Sequence, residues 1–125
     1  MTKKQEVKND NLVREKSFDF ALLIIDCYKF LTNKNEYVLS KQLLKSGTSI
    51  GANIEEAQAA QSLKDFLSKM SIASKEARET LYWLKLLDSS NYLRGYPKTD
   101  KLFEEINSII NILTKIVKTV SSSIK

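Results

Sequence analysis

The chain has 125 residues, with one Pro, three Gly, one Cys and no His. That length fits one domain with a core that needs no staples. The missing His excludes Ser-His-Asp and Cys-His catalysis and His-ligated zinc, and the lone Cys27 excludes internal disulfides and Cys-rich metal sites. A net charge of +5, with 17 of the 20 basic residues Lys, is compatible with a polyanion partner held by phosphate charge more than by base reading.

Residues 1–10, MTKKQEVKND, are polar and alternate in charge, so a flexible lead-in is expected before a single domain over 11–125. Phe18, Ala21, Leu22, Ile25, Tyr28 and Leu31 recur in helical steps. They predict a first helix over about 11–32 with that stripe turned inward. Asn33, Lys34 and Asn35 end it.

A second helix is expected over 36–60, with Leu39, Leu43, Ser46, Ile50, Ile54 and Ala57 inside. It holds Gly47 and Gly51, one turn apart. Polar neighbours at Lys45, Ser46, Thr48 and Asn53 exclude a membrane-dimer motif. The glycines leave three readings: close approach of another helix, a kink, or room for a ligand.

Ser62-Leu63-Lys64-Asp65 resembles a capping box and opens a third helix over 63–88. Its stripe is Leu63, Phe66, Met70, Ala73, Ala77, Leu81, Leu84 and Leu87, with the two alanines level with the glycines of helix two. The segment 89–99 holds Gly95 and the only Pro, Pro97, and is the longest loop. Tyr92, Leu93 and Tyr96 suit it to pack on a bundle end. Thr99 can cap a fourth helix over 100–122, where Asp100, Glu104 and Glu105 suit the positive end of the dipole. Leu102, Ile106, Ile109, Leu113, Ile116 and Val120 form a near-heptad stripe, which Phe103, Ile110 and Val117 widen. That width points to a second subunit. Four such helices with short connections predict an all-α, antiparallel up-down-up-down four-helix bundle.

Few residues carry chemistry. Glu55 and Glu56 on helix two and Glu76 and Glu79 on helix three are either an all-carboxylate cation site or, more simply, structural and solvated charges. In the second reading Asn53 and Glu56 reach Arg78 or a hydroxyl on helix three. Cys27 lies in a helix interior beside Asp26, which suits packing more than reactivity. Tyr82, Trp83, Tyr92 and Tyr96, with Lys85, Arg94 and Lys98, form either a base-stacking platform or a bundle-end cap and subunit contact. Lys34, Lys41 and Lys45 on one outer side of helix two, Arg94 of the aromatic cluster, and Lys115 and Lys118 on helix four are the candidate nucleic-acid contacts; no acid lies between Tyr37 and Ile54 or after Glu105. No apolar run approaches the roughly 20 residues of a membrane span, and the polar first residues lack an apolar signal core. A cytoplasmic protein is expected.

Three motifs in order carry a resemblance. They are Ser49-Ile50-Gly51-Ala52-Asn53-Ile54-Glu55-Glu56-Ala57, then Lys64-Asp65-Phe66, then Ile72-Ala73 with Lys75-Glu76-Ala77-Arg78-Glu79-Thr80-Leu81-Tyr82-Trp83-Leu84. The chain resembles the 23S rRNA-intervening sequence protein family, the bacterial four-helix-bundle proteins also called S23 ribosomal proteins. The resemblance covers about residues 12–120. It implies a non-enzymatic bundle, often a ring-like homopentamer, without cofactors. It also implies kinship with the accessory protein of diversity-generating retroelements, a basic pentamer that engages nucleic acid and a reverse transcriptase. No catalytic residues carry over. Ser49, Asn53, Glu56, Phe66, Glu76, Glu79 and Trp83 carry over as signature positions for packing and assembly. The expected function is an oligomeric RNA- or DNA-binding accessory protein. The alternative is a protein–protein assembly module with no nucleic-acid role.

Overall fold

Good helix formers fill long stretches of this sequence, and Gly95 and Pro97 sit where the chain turns. A computed structural model describes residues 3–124. It holds α1 (Lys3–Asn33), α2 (Leu39–Gln58), α3 (Leu63–Ser89) and α4 (Thr99–Ile124). Helices pack as α1–α2, α2–α3, α3–α4 and α1–α4, so α1 lies diagonal to α3, and α2 diagonal to α4. This is the expected all-α up-down-up-down bundle.

α1 reaches back to Lys3, through most of the segment expected as a lead-in; residues 1 and 2 lie outside the described residues. No Gly or Pro interrupts 3–10, and Asp10 accepts a hydrogen bond from Gln58 Nε2 at 3.3 Å.

The rotation of α1 differs from the expected one. Val13, Ser17, Phe20, Ile24, Cys27 and Leu31 face the core, while Phe18, Leu22 and Ile25 point outward. The run Phe20–Ile25 is apolar on every side, so its period does not select a face. The glycines of α2 select it. A Cβ at Gly47 would meet Ile24 Cγ1 at 2.7 Å and Cγ2 at 2.9 Å, and one at Gly51 would meet Ser17 Oγ at 3.4 Å. Of the three readings, close helix approach holds, and the approaching helix is α1 rather than the alanines of α3. α2 runs through both glycines without a break.

The other stripes largely follow the sequence. Leu43, Ser46, Ile50, Ile54 and Ala57 are buried on α2, and Met70, Ala73, Ala77, Leu84 and Leu87 on α3. Leu63 is exposed. Between these helices Thr80 Oγ1 donates to Ser46 Oγ at 3.0 Å, both fully buried.

Both turns at one end of the bundle use Asn in the left-handed region. Asn35 has φ 65° and Asn91 φ 69°. In each case the next residue's N–H returns to the carbonyl five positions back, Glu36 to Leu31 and Tyr92 to Leu87, both at 3.0 Å. These are Schellman closures with Asn in place of Gly. The buried Glu36 carboxylate then accepts from Leu39 N at 3.1 Å and Ser40 N at 2.6 Å, so α2 starts three residues later than expected. The Ser62 cap forms as expected, its Oγ accepting from Asp65 N at 3.0 Å. Thr99 does not cap α4 by accepting an N–H; its hydroxyl donates to Tyr96 O at 3.0 Å.

Gly47→Ala should destabilise the fold by about 1–3 kcal/mol, because Ile24 has no open side to retreat to. Gly51→Ala should range from neutral to a gain of about 1 kcal/mol, from better helix propensity at ordinary contact distance. Urea unfolding of both variants checks the contrast.

Candidate interaction surface

The exposed apolar side chains are not scattered. Among the described residues, every exposed large hydrophobic that lies within a helix belongs to α1 or α3. On α1, Phe18 (65% exposed), Leu22 (53%) and Ile25 share one face at i, i+4 and i+7. Small residues border it on the α2 side, where Ala21, Thr48, Gly51 and Ala52 line a shallow hollow beside Phe18. On α3, Ile72, Tyr82 (56%) and Leu86 share the outer face with Lys75 and Glu79. The broad apolar surface of α4 is not the free one. Ile110 is buried, and Phe103, Val117 and Val120 pack against the core. α4 needs that width because it fills the bundle between α3 and α1.

Asn53 and Glu56 do not form the expected polar layer with Arg78 or a hydroxyl of α3. Ser49 Oγ donates to Lys45 O, and Asn53 Nδ2 to Ser49 O, both within α2. Glu56 sits 3.9 Å from Lys69 on the surface. Arg78 turns to α4 and donates to Thr114 Oγ1 at 3.1 Å. The buried polar link is Ser46–Thr80, which sequence reasoning missed because a lone Ser and Thr look the same inside or outside a helix. Glu55 turns the other way, to Arg14 on α1 at 3.4 Å. Among the described residues no three acids or thiols converge on a cation position.

Burial, then the charge of the neighbouring Glu79, raises the Glu76 carboxyl above its ordinary value, and Lys45 opposes the shift. Phe66 packs half-buried against the core near the start of α3. Trp83 is half-buried, edge-on to Tyr82 with centroids 5.3 Å apart. Its Nε1–H is buried and has no acceptor among the described residues.

The basic candidates do not form one patch. Lys41 and Lys45 lie exposed on α2, and Lys115 and Lys118 on α4, the diagonal helix. None of the four makes an ion pair among the described residues. Lys34 and Arg94 meet at the Asn-turn end, where Lys34 Nζ donates to Arg94 O and lies 4.6 Å above the Phe30 ring. The four aromatic residues separate as well. Tyr92 is exposed and Tyr82 pairs with Trp83 on α3, but Tyr96 turns inward onto Phe30 and donates to Asp26 Oδ2 at 2.6 Å. With Leu93 it packs the long loop down, as the bundle-end reading expects.

With this geometry in view, the sequence model described as "23S rRNA-intervening sequence protein" matches residues 9–115. The chain belongs to that family. Among solved structures, it is similar to a protein of unknown function from the S23 ribosomal protein family of Bacteroides thetaiotaomicron VPI-5482. That crystal structure has 48% identity and a TM-score of 0.83, over 88% of this chain and 98% of the other. No curated protein matches. Nothing in these comparisons assigns an activity to this member of the 23S rRNA-intervening sequence family.

Tyr96→Phe should lower stability at pH 7, and the deficit should shrink as the solution is acidified. The Tyr96 hydrogen bond first, then Lys98, holds the Asp26 carboxyl below its ordinary value. A carboxylate depressed by folding contributes above its unfolded pKa, near 3.8, and loses that contribution as pH falls through the lower folded value. Urea midpoints at pH 7 and pH 3 test this. Cys27 should resist a disulfide reagent at pH 8 until the protein unfolds. Burial first, then Asp26, pushes its thiol up to about 12, and the side chain is inaccessible.

Proposed function

We propose that this protein is a non-enzymatic assembly module that self-associates into a closed homo-oligomer, with five copies as the expected number. The exposed apolar face of α1 carries the reading. Phe18, Leu22 and Ile25 stand outside a bundle whose core is already filled. An aligned row of large apolar side chains in water marks a contact surface. The resemblance to ring-forming relatives supports the same reading. Light scattering after gel filtration at micromolar concentration should give a mass near five times 14.3 kDa. A mass of 14.3 kDa overturns the proposal.

A second reading is favoured by one observation. Lys41 and Lys45, with Lys115 and Lys118, stand exposed without ion pairs among the described residues, on a chain of net charge +5. They suit the phosphates of RNA or DNA, and assembly would repeat them. Among the described residues no helix is long and apolar enough to cross a membrane, and the cytoplasm, where both nucleic acids occur, remains the proposed location. Anisotropy of a labelled structured RNA and a DNA duplex should fall steeply with salt if several phosphates are neutralised. Replacing the four lysines by Glu should abolish that binding. Wild-type protein that binds neither probe at 50 mM salt refutes the reading.

A further inference from the structure

We infer that the groove between α3 and α4 is a binding site for a phosphomonoester of mononucleotide size. The assignment needs neither a second copy nor Lys41 and Lys45, so it stands apart from both readings above. The first observation is the lining. Ser74 and Arg78 of α3 face Thr114, Lys118 and Ser121 of α4 across a hollow of about 510 Å³. It holds two cations and no carboxylate. The hollows along α1 differ, since each of them includes Glu55, Asp19 or Asp10.

The second is how Arg78 is held. Its Nη2–H donates to Thr114 Oγ1 at 3.1 Å, and the Thr114 hydroxyl donates in turn to Ile110 O at 2.7 Å. One N–H thus anchors the guanidinium on α4, and no carboxylate pairs with it among the described residues. The other N–H groups of the planar fork can meet two oxygens of one phosphate. The nearby acids turn elsewhere: Glu76 feels Lys45 of α2, and the last acid of α4 is Glu105. The hydroxyls of Ser74 and Ser121 have no hydrogen-bond partner among the described residues.

The third is the match of charge and size. A phosphomonoester carries close to two negative charges at pH 7, and Arg78 and Lys118 supply two positive ones. Ser74 and Ser121 add hydroxyl donors for the remaining oxygens. A phosphate fills only part of the groove, whose volume falls within the range of about 300–1,000 Å³ usual for small-molecule sites. Half-buried Val117 adds an apolar stretch of wall. Exposed Tyr82 stands one turn beyond Arg78 on the same side of α3, where a base can stack. A mononucleotide supplies both parts, a dianionic end and a flat ring.

Isothermal titration calorimetry with adenosine monophosphate, adenosine and inorganic phosphate, in about 50 mM salt, tests this. Adenosine monophosphate should bind with a Kd below about 1 mM, phosphate more weakly, and adenosine not measurably. Arg78→Lys keeps the charge but loses the fork, and should weaken the nucleotide at least about tenfold. Lys118→Gln should weaken it by a similar factor. Lys29→Gln, which removes the same charge from α1 at the Asn-turn end, should leave the affinity unchanged. Circular dichroism checks that each variant keeps wild-type helix content; if Arg78→Lys fails to fold, Lys118→Gln alone decides. The inference falls if adenosine monophosphate shows no saturation up to about 5 mM, if adenosine binds as well, or if Arg78→Lys and Lys118→Gln bind like wild type. It falls equally if Lys29→Gln loses as much as Lys118→Gln, because net charge alone then explains the binding.

Discussion

Seating α1 on the glycines of α2 decides which side of α1 is inside. With no side chain at Gly47, Ile24 occupies the space that a Cβ would need, and Ser17 settles against Gly51. Those two contacts hold α1 in one rotation. The alternative would turn Phe18, Leu22 and Ile25 inward and expose Val13, Phe20 and Ile24, a trade of similar apolar size that gives up the seating of Ile24 on Gly47. It would also bring larger side chains toward a groove shaped for Ile24 and the small Ser17. The exposed face of α1 is thus a consequence of how tightly its opposite face is packed.

The Asn-turn end of the bundle keeps that geometry in place. The Asn35 and Asn91 closures satisfy carbonyls at the ends of α1 and α3, and Glu36 satisfies the first amides of α2. Tyr96 bridges the long loop to α1 through Asp26, and Lys34 bridges the first turn to the same loop through Arg94 O. Each turn is thereby tied to another element. At the opposite end a short connection capped by Ser62 is enough, because α2 and α3 are adjacent and antiparallel.

Much of this was legible in the sequence. The number of helices, their order, the inner stripes of α2, α3 and α4, and the Ser62 cap all follow from period and capping chemistry. Glu36 was missed because a buried carboxylate serving backbone amides has no local signature beyond its place before a helix. The rotation of α1 was not legible. Its two apolar stripes compete, and the deciding contact lies on another helix. The same gap moved the candidate surface. The width of the α4 stripe suggested a subunit contact there, but a helix packed between two neighbours also needs a wide apolar face. Arg78 was placed toward α2 because charges on a neighbouring helix made an obvious partner; the helix turn sends it to Thr114 instead. Charge counts offer the lysines only as candidates and say nothing of their separation onto diagonal helices.

That separation gives the four helices different outward roles. α1 and α3 turn large apolar side chains to the solvent, while the outer surfaces of α2 and α4 carry Lys41, Lys45, Lys115 and Lys118. If copies meet through the apolar face of α1, the lysines of α2 and α4 lie on two separate surfaces. A single copy then offers only two of these lysines on either side, too few to hold a polyanion firmly against salt. An assembly multiplies each pair by the number of copies and fixes their spacing, so weak local contacts add along one continuous strand. On the two proposed readings together, self-association would come before nucleic-acid binding: the apolar face of α1 would set whether the lysines act together, and disrupting that contact would weaken polyanion binding without touching a single basic residue.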